Sequence, residues 1–364
     1  SPLADPESGP ARTLSLALDT LFRSSEPVDY QKLACALAAR NHFAVITGGP
    51  GSGKTTTVVN LLAALQAVAG ESPERAGRKY RIRLAAPTGK AAARLNESIG
   101  GAVSRLPLAE LPGNVDLSDI PTRVTTLHRL LGSRPDTRKF RHNRDNPLLV
   151  DLLVIDEASM VDVDLMASVF DALPGNAQLI LLGDKDQLAS VDAGAVLGEL
   201  CQRALLAHYT PETAQWLAVM AGGEIPESLV DETGQPMDQA VAMLRKSYRF
   251  REDSGIRAFA EAVNTNALDN AMLRQIRQAE FDDVILLNSR SKSGDTEDTL
   301  DLVCRHAITG SPEAFRNAGQ GRQVNGQSLP PPVGYRHYLE RLQNHGLNES
   351  SPREDWDAMA VQLL

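Results

Sequence analysis

The sequence predicts an α/β protein: a doubly wound parallel sheet with helices on both faces, followed by a mostly helical extension. Two observations carry that prediction. Between residues 43 and 183, short apolar runs alternate with helical patterns, the layout of strand–helix–strand units in a parallel sheet. The runs Phe43-Ala44-Val45-Ile46, Leu152-Leu153-Val154-Ile155 and Leu179-Ile180-Leu181-Leu182 are continuously apolar, as strands covered on both faces must be.

In chain order, residues 13–22 and 30–39 read as two amphipathic helices, with Asp29 as N-cap of the second. The first strand runs into a glycine-rich loop and then a helix over 55–68. A second strand over 81–86 leads through Pro87-Thr88-Gly89-Lys90 into an alanine-rich helix over 91–99. From 100 to 123 the pattern weakens and prolines punctuate it. A short threonine-capped helix follows over 125–131, ended by Gly132. The stretch 133–146 is polar and strongly basic. The run over 148–155 is a buried strand, 161–173 a helix and 178–182 another buried strand. Beyond residue 200, helices are expected at 213–220, 237–245, 256–264 and 270–278, with one more strand over 281–288. The Gly-, Gln- and Pro-rich 310–332 reads as loop or partly disordered, and helices over 334–344 and 352–364 close the chain.

Composition narrows the function classes. The 364-residue chain can hold one large or two ordinary domains. Its three cysteines, Cys35, Cys201 and Cys304, are far apart and lack metal-ligand spacing. They fit a reducing compartment and argue against a disulfide framework or zinc site. Without a signal-peptide pattern or a long apolar run, a cytoplasmic protein with no membrane contact is expected. A net charge of −9 disfavours coating of nucleic acid over the whole surface but leaves room for a local basic groove.

The chemistry concentrates at predicted strand ends, where ligands of open parallel sheets bind. Gly48-Gly49-Pro50-Gly51-Ser52-Gly53-Lys54-Thr55-Thr56 has the spacing of a phosphate-binding P-loop in its required strand–loop–helix context. Glycines let backbone N–H groups wrap a phosphate at a helix N-terminus. Lys54 is placed for the β- and γ-phosphates and the Thr55 hydroxyl for Mg²⁺. The bland alternative is a glycine turn with a chance Gly-Lys-Thr. Asp156 would hold Mg²⁺ through carboxylate oxygen, and Glu157 would polarise an attacking water; the alternative is two solvated acids. Gln187, in Gly183-Asp184-Lys185-Asp186-Gln187, suits the γ-phosphate or the hydrolytic water, because an amide donates and accepts together. Asp184 and Asp186 read as caps or turn residues.

Thr88 and Lys90 at one helix start, and Thr126 and His128 at another, suit phosphodiester oxygens and base stacking. Each is equally well read as a plain helix cap. Arg245-Lys246-Ser247-Tyr248-Arg249-Phe250-Arg251 packs four cations around two aromatics, and one arginine there could reach a γ-phosphate. A solvated basic helix end is the competing reading. The cluster Arg134, Arg138, Lys139, Arg141, His142 and Arg144 has the charge for a nucleic-acid or protein contact, or is a solvated loop.

Taken together, these motifs resemble the superfamily 1 helicases in order, and more closely the RecD family, the alpha chains of exodeoxyribonuclease V. The specific wording is Leu84-Ala85-Ala86-Pro87-Thr88-Gly89-Lys90-Ala91-Ala92-Ala93-Arg94-Leu95, Thr126-Leu127-His128-Arg129-Leu130-Leu131-Gly132 and Lys246-Ser247-Tyr248-Arg249-Phe250. The resemblance implies a RecA-like ATPase fold and a 5′-to-3′ ATP-dependent motor on single-stranded DNA. It also implies RecB-like and RecC-like partner subunits in a complex that processes double-strand breaks for recombination. It assigns adenine reading to Gln31, the γ-phosphate arginine to Arg249 and DNA contacts to Thr88, Lys90, Thr126 and His128. The chain departs from the family in lacking a second-domain Thr-His-Lys-Ser-Gln-Gly run and an arginine-bearing final motif. The expectation is therefore a fragment with the first motor domain, unable to unwind duplex alone. The expected organisation is 1–28 as a linker or the end of a preceding domain, 29–285 as the motor domain, and 286–364 as linker and start of a second domain. A P-loop switch or assembly ATPase, gating a protein partner without translocation, is the competing class.

Overall fold

In the computed structural model the chain divides into two compact units, Ser1–Arg249 and Phe250–Leu364. The structure describes residues 3–23, 26–71, 75, 77–134, 137, 139–187, 196–248, 253–278, 281, 283–285, 299–310, 322–324, 327–329, 334–344, 351–352 and 355–356.

The first unit is a six-stranded sheet whose strands are parallel throughout. In chain order the elements are α1 (Gly9–Leu21), α2 (Tyr30–Arg40), β1 (Phe43–Gly48), α3 (Lys54–Glu71), β2 (Ile82–Ala86), α4 (Gly89–Val103), β3 (Val124–Thr126) and α5 (Leu127–Leu131). They continue with β4 (Leu152–Ile155), α6 (Val163–Ala172), β5 (Gln178–Gly183), α7 (Val196–Leu200), α8 (Pro211–Ala221) and β6 (Val241–Leu244). The spatial order is β3-β2-β4-β5-β1-β6.

The apolar strands feed two cores by strict alternation. Ala44, Ile46, Leu152, Val154, Ile180 and Leu182 face one layer of side chains, with α1, α2, α3 and α8. Val45, Leu153, Ile155, Leu179 and Leu181 face the other, with α5, α6 and α7. Each strand therefore needs apolar residues at both parities, which is why no period-2 signal appears in the sequence. The doubly wound fold read from the sequence is the observed one.

Four expectations change. Residues 237–245 were read as helix, but the segment is a 3₁₀ turn followed by β6. Val45 to Gly48 of β1 pair in parallel with Val241 to Leu244; a four-residue apolar run carries no period, and sheet pairing across a long sequence separation decides it. β3 precedes the short helix expected from residue 125, and that helix begins at Leu127. Third, α1 is no linker. Leu14, Ala17 and Leu18 are fully buried in the first core, and Trp216 Nε1 donates to the Leu3 carbonyl at 2.9 Å. The compact unit ends at Arg249, not near 285.

The second unit contains α9 (Gly255–Asn264), α10 (Asn270–Arg277), α11 (Thr299–Thr309), an antiparallel pair β7 (Arg322–Val324) and β8 (Gln327–Leu329), and α12 (Tyr335–Asn344). Ser254 Oγ and Gly255 N donate to Asp283, at 2.5 and 2.8 Å. The pair β7–β8 lies within 310–332, expected as loop; of the strand expected over 281–288, residues 281 and 283–285 are described and are not in a strand, and the other four, with most of the rest of 310–332 and of 352–364, lie outside the described residues. Among the described residues no helix is long and apolar enough to cross a membrane.

Candidate nucleotide-binding site

β1 delivers the glycine-rich loop to the carboxyl edge of the sheet, and α3 starts at Lys54. Gly53 adopts φ +82°, and a Cβ there would lie 2.1 Å from Gln31 Nε2. Only glycine satisfies both the backbone conformation and the close approach. The Gln31 amide donates to the Ser52 and Gly53 carbonyls at 3.2 and 3.5 Å. Asp29 holds Gln31 there by capping α2 through the Gln31 and Lys32 amides. Lys54 Nζ curls onto the loop itself, donating to the Gly48 carbonyl at 2.6 Å and the Gly49 carbonyl at 3.2 Å. Those carbonyls hold the ammonium over the space a phosphate would take.

β6 supplies the loop's other support. Tyr248 N donates to the Gly51 carbonyl at 2.8 Å, and Ser247 Oγ to the Pro50 carbonyl at 3.3 Å. The Tyr248 ring, 61% exposed, stands beside Gly53 and Gln31. Tyr248 carried no role in the sequence reading beyond its place in a basic cluster. Arg249, the sequence-derived γ-phosphate arginine, lies outside the described residues.

A cleft of about 660 Å³ gathers the loop residues Pro50, Gly51, Ser52, Gly53, Lys54 and Thr55 with Asp156, Glu157, Asp184, Gln187 and Tyr248. Gly48 contributes a carbonyl to Lys54 but no lining surface, and Thr56 is exposed. Burial pushes the Asp156 carboxyl up to about 6, and the neighbouring Glu157 charge adds to the rise; the Glu157 N–H, Lys54 and Arg94 oppose it. A buried carboxyl whose charge is only partly compensated suits a site that takes a divalent cation. Glu157 sits at φ +52°, ψ +40°, a left-handed backbone that costs of order 1 kcal/mol or more in a non-glycine residue. The turn swings Glu157 into the cleft directly after the strand.

Gln187 is held by Ser159, whose buried hydroxyl donates to Gln187 Oε1 at 3.2 Å. That bond fixes the amide with its NH₂ group turned away from Ser159. Asp184 accepts from Asp186 N, and its carbonyl from Gln187 N, the turn role read from the sequence. Ser52 Oγ is buried without a partner among the described residues, an orphaned polar group in the phosphate cradle.

The residues fit Mg²⁺. Thr55, Asp156 and Glu157 share one cleft; Mg²⁺ takes one or two carboxylates and fills its shell with water and substrate phosphates. Among the described residues no group of three or more His, Cys, Asp or Glu forms an all-protein metal cage.

The residues expected from the sequence to contact nucleic acid lie along the neighbouring strand ends. Thr88 caps α4 by accepting from Ala91 N, and Thr126 caps α5 by accepting from Arg129 N. Both threonines therefore do helix-cap work. β2 and β3 pair so that Ala86 faces Thr126, placing the two helix starts side by side. Lys90 and His128 are exposed. Phe140, from the basic stretch, meets the His128 ring edge-on at 5.8 Å. Arg134, Lys139, Arg141 and Arg144 are exposed around it, while Arg138 lies outside the described residues. A larger cavity of about 1120 Å³ lies on the β2–β3 side of the sheet, lined mainly by apolar groups. Of the candidate contact residues singled out in the sequence, only His142 of the basic cluster is in its lining.

The comparisons with known proteins follow the same lines. Residues 31–193 match the family model described as an AAA domain. The RecBCD enzyme subunit RecD of Haemophilus influenzae is 40% identical over 269 residues, 72% of this chain and 40% of that protein. The chain belongs to the RecD family. The Mycolicibacterium smegmatis RecD subunit shares 36% over 297 residues, and the ATP-dependent RecD2 DNA helicase of Deinococcus radiodurans 41% over 166 residues. The chain spans less than half the length of each of these relatives. A Bacteroides Pif1 structure with ADP-AlF4 aligns at 20% identity and TM-score 0.37, covering 70% of this chain and 50% of that one. The P-loop ATPase fold of this RecD-family chain rests on its own strand order and loop.

Proposed function

We propose that the chain is the first motor domain of an ATP-dependent DNA helicase of the RecBCD type, which hydrolyses ATP while gripping a single strand of DNA. One observation carries the proposal. The cleft that gathers Lys54, Thr55, Asp156, Glu157 and Gln187 shares its sheet edge with the helix starts at Thr88 and Thr126. A nucleotide and a phosphodiester chain can then be held by adjacent loops of one rigid sheet.

Each side chain has a part. Tyr248 stacks on the base and Gln31 reads its edge through the amide oxygen, since its NH₂ is committed to the loop. Lys54 leaves the Gly48 carbonyl for the β- and γ-phosphate oxygens, and the loop amides close around the β-phosphate. Thr55 and Asp156 hold Mg²⁺, which when bound neutralises phosphate charge. Glu157 accepts a proton from water as the water oxygen bonds to the γ-phosphorus and the bond to the bridging oxygen breaks. Gln187 orients that water through its NH₂, which faces away from Ser159. Arg249 supplies positive charge to the transferring group by family resemblance. Lys90 and His128 contact the DNA strand, Lys90 as a phosphate charge and His128 by stacking beside Phe140. A second motor domain and the other subunits of a RecBCD-type enzyme complete the machine, and polarity is 5′ to 3′ by the same resemblance.

The test is ATPase activity of the complete enzyme with and without single-stranded DNA. Strong stimulation that disappears in Lys54→Ala is expected. Hydrolysis indifferent to DNA would return the chain to the switch-ATPase class. Isolated, these 364 residues are expected to bind nucleotide without unwinding duplex.

A further inference from the structure

The nucleotide cleft has a second cationic wall that no motif reading assigned. α4 turns one face to it through Ala91, Arg94, Leu95 and Ser98, the i, i+3, i+4, i+7 spacing of a single helix stripe. Arg94 and Lys54 are the two cations of the lining, against three carboxylates, Asp156, Glu157 and Asp184. The Arg94 guanidinium is exposed and makes no ion pair among the described residues.

The strand order says which part of a nucleotide it would meet. Gln31 and Tyr248, the base end, stand on the β1–β6 side of the sheet. The phosphate loop follows β1, the carboxylates Asp156 and Glu157 follow β4, and α4 follows β2, one strand further still. Arg94 thus approaches from the end of the cleft opposite the base, past the loop that takes the inner phosphates.

We propose that Arg94 is a γ-phosphate contact of this site, so that α4, which begins at Thr88 and Lys90, joins the DNA-facing edge to the terminal phosphate. The inference rests on the ATP reading above and extends it to a residue and a helix. A rigid α4 carries the coupling: Lys90 and Arg94 are one turn apart. A strand pulling on the helix start shifts the guanidinium relative to the phosphate, and loss of the γ-phosphate releases the helix.

The experiment is calorimetric titration of the 364-residue chain with Mg²⁺ plus either ATPγS or ADP, in wild type, Arg94→Ala, Arg94→Lys and Lys54→Ala. Arg94→Ala is expected to weaken ATPγS by about tenfold or more, the scale of one charge-assisted hydrogen bond, and ADP by less than about twofold. Arg94→Lys recovers part of the loss. Unchanged ATPγS affinity in Arg94→Ala, or equal losses for ATPγS and ADP, overturns the assignment. So does a loss of oligo-dT affinity with ATPγS unaffected, which places Arg94 on the DNA strand alone. Lys54→Ala separates the two levels. If it also binds ATPγS like wild type, the ATP reading fails and takes this inference with it; if it loses binding while Arg94→Ala does not, only the role of Arg94 falls. Because Arg94 is exposed, matching thermal melts verify that the variants fold.

Discussion

Gln31 Nε2 occupies the place where a Cβ on Gly53 would stand, 2.1 Å from that position, while it donates to the Ser52 and Gly53 carbonyls. The side chain thought to read adenine is thereby a structural support of the phosphate loop. Gly53→Ala is expected to push Gln31 off the loop and to strain a residue at φ +82°, at a cost of about 1–3 kcal/mol. Nucleotide affinity and melting temperature should both drop. Gln31→Ala leaves the fold intact and narrows the preference for ATP over GTP, read by competition with a fluorescent ATP analogue.

Tyr248 tests the base end separately. Its amide supports the loop through Gly51 whatever the side chain, so Tyr248→Ala removes only the ring. A loss of about fivefold to tenfold in ATP and ADP affinity alike is expected, with Tyr248→Phe near wild type, on the scale of about 1 kcal/mol for a stacked base. A loss confined to ATP would contradict the base-stacking role.

Ser159 bears on the chemical step. Without its hydroxyl, Gln187 loses the bond that fixes its amide. Ser159→Ala is expected to lower kcat about fivefold and to change KM less than about twofold, as for an interaction of about 1 kcal/mol felt in the transition state. A change in KM alone would mean that Gln187 binds ground-state nucleotide instead.

Asp151, at the start of β4, governs acid stability. Burial alone would raise its carboxyl; hydrogen bonds from the Arg81 side chain and backbone, with the Arg81 and Arg75 charges, outweigh that and hold it down at about 2. A depressed folded value means the stabilisation is present above the unfolded value near 3.8 and is lost as pH falls toward 2. Asp151→Asn should cost roughly 2 kcal/mol at pH 7, a buried-pair loss discounted because Arg81 is 49% exposed. The gap should close as pH drops from about 4 to 2, measured by urea unfolding.

Lys90 is exposed and free of helix-cap duty. Lys90→Ala should weaken single-stranded DNA binding about threefold to fivefold, whatever the sequence, and reduce the slope of log affinity against log salt by about 0.7. Thr88→Ala differs: by removing the α4 cap it should also lower thermal stability, by about 1 kcal/mol.

What could be read from sequence follows the locality of the physics. The P-loop is legible because its glycines, lysine and threonine act within one turn of chain, and Asp156-Glu157 because a buried run ends on them. The strands β1, β4 and β5 are legible because burial on both faces leaves continuous apolar runs, and β2, broken by the exposed Arg83, is legible from the apolar residues around it. β6 is not: Val241 to Leu244 is too short to show a period, and only pairing with β1 makes it a strand. The consequences reach the site, since that strand carries Ser247 and Tyr248 to the loop.

Composition and motif order by themselves determined the fold class, the glycine-rich loop and the resemblance that points to the RecD family, all of which rest on contiguous residues. Tertiary structure decided what depends on distant segments meeting. α1 enters the core through burial of Leu14 and Leu18, Ser159 fixes Gln187, Gln31 braces Gly53, and strand order alone carries Arg94 to the far end of the cleft. Those placements come from the crossovers between parallel strands, which bring together residues that no spacing along the chain connects.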